Sequence, residues 1–287
     1  MHRVLVAAVS VVVSAVVLAG CALVPPGSPP GPEVTSPGAS GLSVEPTATP
    51  AVPTETALVY FVRDSTGGLR LGREERQVPA ADPVAGAVQT MLAGPVDPDY
   101  TNPWPSTAAV IAVTTSGDVT TVNLNADAWP SGLDARTMHA MADQLVWTVT
   151  EQTGADGAVA LQIDGRPVGE WGDLTWSGNL RRADPFAARV LVSIDSPVDG
   201  ATVASPVTIS GDAAVYEAVL PWRVLDAAGA EVQTGSARTA AGQEFADYAF
   251  TLTLPPGEYT VEIREDDVGD GEGHQPDVDT RAFTVSG

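Results

Sequence analysis

Lysine does not occur in the 287 residues: all 14 basic side chains are arginine, against 36 acidic ones. The net charge of −22 lacks the basic footprint that phosphate neutralisation requires, which argues against nucleic acid as a partner. It also makes anionic membrane surfaces repulsive to the folded part of the chain. Cysteine occurs once, at position 21, so no intramolecular disulfide can form. Histidine is scarce, with His139 and His274 alone beyond the first twenty residues. No G-x-S-x-G, H-E-x-x-H or glycine-rich phosphate motif occurs. Acids are so abundant that a pair suited to glycoside hydrolysis carries no signal. These absences point away from an enzyme. A hydrophobic content of 44% is nevertheless enough for packed cores, and argues against global disorder.

The amino terminus has three parts. Met1-His2-Arg3 is basic, Val4 to Val17 is apolar apart from Ser10 and Ser14, and Leu18-Ala19-Gly20-Cys21 closes the run with small residues. This is the layout of a signal peptide, too short for a comfortable membrane span. Leu18-Ala19-Gly20-Cys21 resembles the lipobox of bacterial lipoproteins. The resemblance implies cleavage after Gly20 and a diacylglycerol on the Cys21 thiol. The expectation is a protein anchored by lipid to the extracytoplasmic face of the cell membrane, with this covalent lipid and no other cofactor.

Residues 21–56 read as the lipidated cysteine and a disordered tether rich in Pro, Ser and Thr, without an aromatic residue. Such a stretch buries too little apolar surface to offset its ordering entropy. Fully extended it reaches on the order of 100 Å.

The first folded region is placed at 57–178. Leu58–Val62 is an apolar strand and Leu69–Val78 a second extended segment. Asp82 as N-cap, Pro83 at the first helical position and Gly94-Pro95 as a stop predict a helix whose buried face is Val84, Ala87, Val88, Met91 and Leu92. Val110–Thr114 and Val119–Leu124 flank a Ser116-Gly117-Asp118 turn. Ser131 reads as the start of a second helix, buried along Met138, Met141, Ala142, Leu145, Val146 and Val149. A last strand pair surrounds Asp164-Gly165. The order predicts an α+β domain, two helices packed on a mixed or antiparallel sheet. After a linker at 179–187, residues 188–287 show short β-rich runs separated by turn residues, including Thr202–Ser210 and Ala218–Asp226 with Trp222 in the core. They read as an all-β sandwich of immunoglobulin type held by packing alone.

Both regions resemble known families. The first resembles the GerMN domain of sporulation and germination proteins through Val59-Tyr60-Phe61-Val62, Arg76-Gln77-Val78-Pro79, Asp82-Pro83, Leu92-Ala93-Gly94-Pro95, Tyr100, Trp104-Pro105 and Val122-Asn123-Leu124-Asn125. The second is similar to the immunoglobulin-like domain that accompanies it, through Ser196-Pro197, Ser205-Pro206-Val207, Ser210-Gly211-Asp212-Ala213, Trp222-Arg223-Val224 and Gly257-Glu258-Tyr259-Thr260. The resemblance implies a non-catalytic interaction or assembly module of the cell envelope, of a sporulation, germination or wall-signalling kind. It does not fix the process served.

Three side-chain groups are candidates for more than packing. Asp266, Asp270 and Glu272 lie in a glycine-jointed acidic loop that could hold calcium, although the spacing is not that of an EF-hand and a solvated hairpin loop is the plainer reading. Trp171 and Trp176 form an aromatic pair that either docks a protein or glycan from an exposed connector, or packs the junction between domains. His139 reads as a solvated side chain near Asp143 and Arg136. The expected partners are the lipid membrane through Cys21 and an unidentified envelope protein. A module binding calcium, or peptidoglycan or another wall glycan, is the alternative, and a wall hydrolase the third option.

Overall fold

The structure is a computed structural model that describes residues 52–65, 67–176, 179–266 and 276–287. Cys21, the amino-terminal segment and the tether up to residue 51 lie outside the described residues, as do Asp270, Glu272 and His274. Among the described residues no helix is long and apolar enough to cross a membrane.

The first half is α+β. β1 (Thr54–Ser65) and β2 (Gly68–Pro79) form a long antiparallel hairpin. Thr54 to Thr56 pair with Gln77 to Pro79, so the first strand starts ahead of Ala57. β1 alternates between two apolar environments. Val59 and Phe61 enter the main core, whereas Tyr60 and Val62 join Leu71, Trp147 and Ala188 in a smaller cluster on the other side. Burial on both faces explains why Leu58–Val62 reads as a continuous apolar run rather than an alternating one.

α1 (Pro83–Ala93) begins where the cap chemistry predicts, with the Asp82 carboxylate accepting from the Ala85 amide at 3.1 Å. It is followed by β3 (Val110–Ser116) and β4 (Val119–Leu124). α2 (Ala135–Thr153) starts later than the sequence suggests. Gly132 sits at φ 73°, which a helix cannot contain. The cap is therefore Asp134, accepting from Thr137 N at 2.8 Å, and not Ser131. α2 buries Met141, Leu145 and Val149 in the main core and presents Trp147 to the smaller cluster. β5 (Ala158–Ile163) returns parallel to β4, as a crossover through a helix requires, and β6 (Arg166–Pro167) turns back against it. The sheet order is β3-β4-β5-β6, with a two-residue ladder of β7 (Glu170–Trp171) and β8 (Leu174–Thr175) beside it.

The stretch 179–187 is not a free linker. Leu180 pairs with Val159, Arg182 binds Glu151 at 2.7 Å and Thr150 at 2.8 Å, and α3 (Pro185–Ala188) packs by β2. Its polar sequence hides this because the contacts run through arginine side chains and backbone.

The second half is an immunoglobulin-like sandwich. One sheet is β14 (Ala246–Leu252), β11 (Val207–Ala213) and β9 (Val192–Ser196). The other, in order, is β10 (Ala201–Val203), β16 (Val278–Val285), β15 (Gly257–Arg264), β12 (Val219–Asp226) and β13 (Glu231–Arg238). The predicted single run Thr202–Ser210 is two strands. The chain leaves one sheet after Val203 and enters the other at Val207, across a proline that cannot donate to a ladder. Ile194, Ile209, Leu220, Val261 and Ile263 fill the space between the sheets. Trp222 lies at the edge of this core, half-buried and stacked on Phe250 with ring centres 4.9 Å apart.

Candidate interaction site

The two apolar cores stay separate, and between them runs a seam of buried charge. Arg73 leaves the middle of β2 and meets Asp195 of β9 twice, Nε to Oδ1 at 2.8 Å and Nη2 to Oδ2 at 2.6 Å. Its third nitrogen lies 3.3 Å from Asp212 of β11, which also accepts from Arg189 at 2.6 Å. The Arg189 guanidinium in turn lies over Phe245, 4.3 Å from its ring centre, and faces Tyr60 and Trp147 at 5.5 Å. Such stacking suits a planar, weakly hydrated cation.

A second knot forms around Arg281 of β16, which is 1% exposed. It donates to the Asp97 carboxylate, to the Ile194 carbonyl at 2.6 Å and to the Tyr100 hydroxyl at 3.1 Å. Asp279, fully buried, accepts from Ile194 N at 2.7 Å and Tyr100 Oη at 3.2 Å, with Arg63 at 3.6 Å. Glu74 holds the loop that carries Asp97 by accepting from the amides of Val96 and Asp97, at 3.1 and 2.8 Å. Thr280 adds a bond to Asp99 at 2.8 Å. Tyr100 packs against β2 at Gly72. A Cβ there would come within 2.6 Å of the tyrosine ring, so the position needs glycine.

Burial lifts the carboxyls of Asp195 and Asp279 to about 7, against the pull of Arg73 on the first and Arg63 on the second. Burial also opposes charge on Arg73, but Asp195 and Asp212 outweigh it and its pKa is raised. Arg281 is lowered to about 10, chiefly by burial. Burial and then Asp279 push the Tyr100 hydroxyl well above its ordinary value, so it remains a donor. The carboxylates of Asp97, Asp99 and Asp279 converge within 4.8 Å. Arg281 and Arg63 already face that cluster with positive charge, which leaves it suited to guanidinium groups rather than to a metal ion.

Trp171 and Trp176 require a correction. Neither is in an exposed connector and neither packs the junction between domains. They are 0% and 3% exposed, inside the first core. Trp171 donates to Met138 O at 2.9 Å and Trp176 to Val159 O at 3.0 Å, satisfying each indole N–H. The pair meets edge-on at 5.9 Å, and Trp171 also touches Trp104 and Trp129 at 5.5 Å. A partner-docking role for the two is withdrawn. Of this cluster Trp129 reaches the surface, 49% exposed. It stands over an open cavity of about 810 Å³ lined also by Ile163, Asp164, Arg166, Val168 and Glu170. His139 is exposed and bonded to Asp173 at 2.8 Å. Asp143, one turn on, is lifted to about 6 by burial, with His139 pulling the other way. Of the calcium candidates, Asp266 is described, half-buried in coil two residues after the end of β15.

Sequence reasoning missed Arg73, Asp195, Arg281 and Trp129. A signal existed for one of them. In β16 the inward phase set by Phe283 and Val285 extends back to Arg281 and Asp279.

Residues 58–169 match the family described as sporulation and spore germination, and residues 191–272 match the immunoglobulin-like domain of bacterial spore germination. Among solved structures, the tandem GerMN domains of the sporulation protein GerM from Bacillus subtilis share 15% identity, over 48% of this chain and 49% of theirs, with a TM-score of 0.38. This chain therefore spans about half the length of that structure. A putative lipoprotein from Clostridium perfringens shares 17% identity over 47% of this chain and 92% of its own, TM-score 0.32. CopC from Methylosinus trichosporium shares 24% over 33% and 91%, TM-score 0.26. No curated protein matches the chain.

Proposed function

We propose that this chain, which carries a sporulation and spore germination domain followed by an immunoglobulin-like domain of bacterial spore germination, is a non-catalytic assembly module on the outer face of a cell membrane, held there by lipid on Cys21. The observation that carries the reading is the buried seam. Arg73 and Arg281 fasten the two domains through charges that have no solvent to fall back on, and Arg189 reaches across to the rings of Tyr60 and Trp147. Two domains so joined present their outer surfaces at a fixed spacing, which serves assembly with an envelope protein better than two domains on a flexible string. The acidic surface keeps such a module from associating with itself. Attachment then rests on the lipid, because the net charge repels anionic headgroups.

The test has two arms. In cells supplied with an alkyne-tagged fatty acid, the chain should take up label and fractionate with membranes, and Cys21→Ala should lose both. Partners should be captured by cross-linking in cells. Amine-reactive reagents find no lysine side chain here, so a carboxyl-reactive dihydrazide is the suitable choice. A Cys21→Ala protein that stays membrane-bound would remove the anchor. An absence of any cross-linked protein partner across growth and sporulation conditions would remove the assembly role.

A further inference from the structure

We propose that the cavity beside Trp129 is a saccharide site, in which the exposed indole stacks against one face of a sugar ring. The cavity volume of about 810 Å³ lies within the range of small-molecule sites, roughly 300–1,000 Å³. Its floor is built rather than incidental. Trp129 follows a single 3-10 turn, Ala126–Ala128, and its amide closes that turn on Ala126 O at 3.1 Å. Trp171 meets the indole edge-on at 5.5 Å and 77°. Trp171 is itself immobilised by Met138 and Trp104. Trp129 is thus the outward end of a packed tryptophan cluster, held in place from behind and open in front.

The walls carry the complementary chemistry. Asp164 lies in the turn between β5 and β6, Arg166 begins β6, and Glu170 begins β7. The turn is pinned by the Gly165 amide donating to Asn123 Oδ1 at 2.8 Å. Among the described residues, none of these three side chains is committed to an ion pair or a hydrogen bond of its own. Two acceptors and one multi-pronged donor therefore surround an aromatic face.

The combination selects its ligand class. A purely apolar occupant would strip water from Asp164, Arg166 and Glu170 without replacing it. An anion would meet two carboxylates in a chain of net charge −22. A neutral sugar ring offers C–H groups on a face, for the indole, and hydroxyls around its rim that both donate and accept. The inference concerns this cavity alone and stands or falls separately from the assembly role.

The experiment is calorimetric and fluorimetric titration of the full chain, carrying Cys21→Ala to keep it free of lipid, with chitotetraose, cellotetraose and maltotetraose. At least one should bind with a millimolar or lower Kd and shift the tryptophan emission. Trp129→Ala should weaken it by about tenfold or more, a loss of at least about 1.4 kcal/mol. Arg166→Ala should weaken it too, and as an exposed side chain on a two-residue strand it tests the site without touching the core. Circular dichroism confirms that each variant is folded. No binding of any of the three sugars, or binding that both variants leave unchanged, overturns the proposal.

Discussion

Arg73 and Asp195, from different domains, meet as a two-point pair at 2.8 and 2.6 Å, with both side chains under a tenth exposed. A buried pair of this kind is a weak source of net stability but a costly one to break. Arg73→Met leaves Asp195 and Asp212 buried beside an apolar side chain. Urea denaturation should show a loss of about 3–5 kcal/mol. Replacing Arg73 and Asp195 together with apolar residues of similar volume, which leaves Asp212 to Arg189, should cost clearly less than Arg73→Met alone. Equal losses would mean that charge pairing is not what the seam contributes.

Gly72 gives the seam its second contact point. Gly72→Ala places a methyl carbon 2.6 Å from the Tyr100 ring, and should destabilise by about 1–3 kcal/mol. Tyr100→Leu in the same chain should make the alanine nearly harmless at that site. A double-mutant cycle reads the coupling directly, and additive losses would exclude a steric origin.

Asp143 makes stability depend on pH. Its carboxyl is lifted to about 6 by burial, above the unfolded value of about 3.9. A group raised in the folded state contributes stability that is complete below the unfolded value and is lost as pH rises through the folded one. Asp143→Asn should therefore stabilise the protein at pH 8, by about 1–2 kcal/mol once partial exposure is allowed for, and the advantage should disappear below about pH 4. Thermal melts of both proteins between those limits decide it.

Two tryptophans 5.5 Å apart should respond very unequally to truncation. Trp171→Ala empties a fully buried volume and breaks a bond to Met138 O, for a loss of about 3–5 kcal/mol. Trp129→Ala removes a half-exposed ring and should cost under about 1.5 kcal/mol.

Much of the fold was written locally. Asp82-Pro83 and Gly94 bound α1 through cap chemistry that needs no distant contact, and the alternation of Tyr259 to Arg264 marks β15 wherever it ends up. What escaped sequence reading is non-local. Trp171 sits beside Gly172 and Asp173, so its neighbours suggest a wet connector, yet its burial comes from Trp104 and Met138 far away in the chain. Likewise Arg73 lies in Arg73-Glu74-Glu75-Arg76, which reads as a solvated strand face. Its burial arises only when β9 docks beside β2. The cavity at Trp129 depends on bringing the 3-10 turn to the β5–β6 hairpin, which no pattern along the chain encodes.

Three ion pairs of the seam, Arg73–Asp195, Arg73–Asp212 and Arg281–Asp97, are divided between the two domains. Arg73 and Asp97 come with the first domain, Asp195, Asp212 and Arg281 with the second. A recombination event that exchanged one domain for a distant cousin would deliver half of each of these three pairs. The halves are consequently bound to descend together, and substitutions at these five positions should appear in lineages as matched sets.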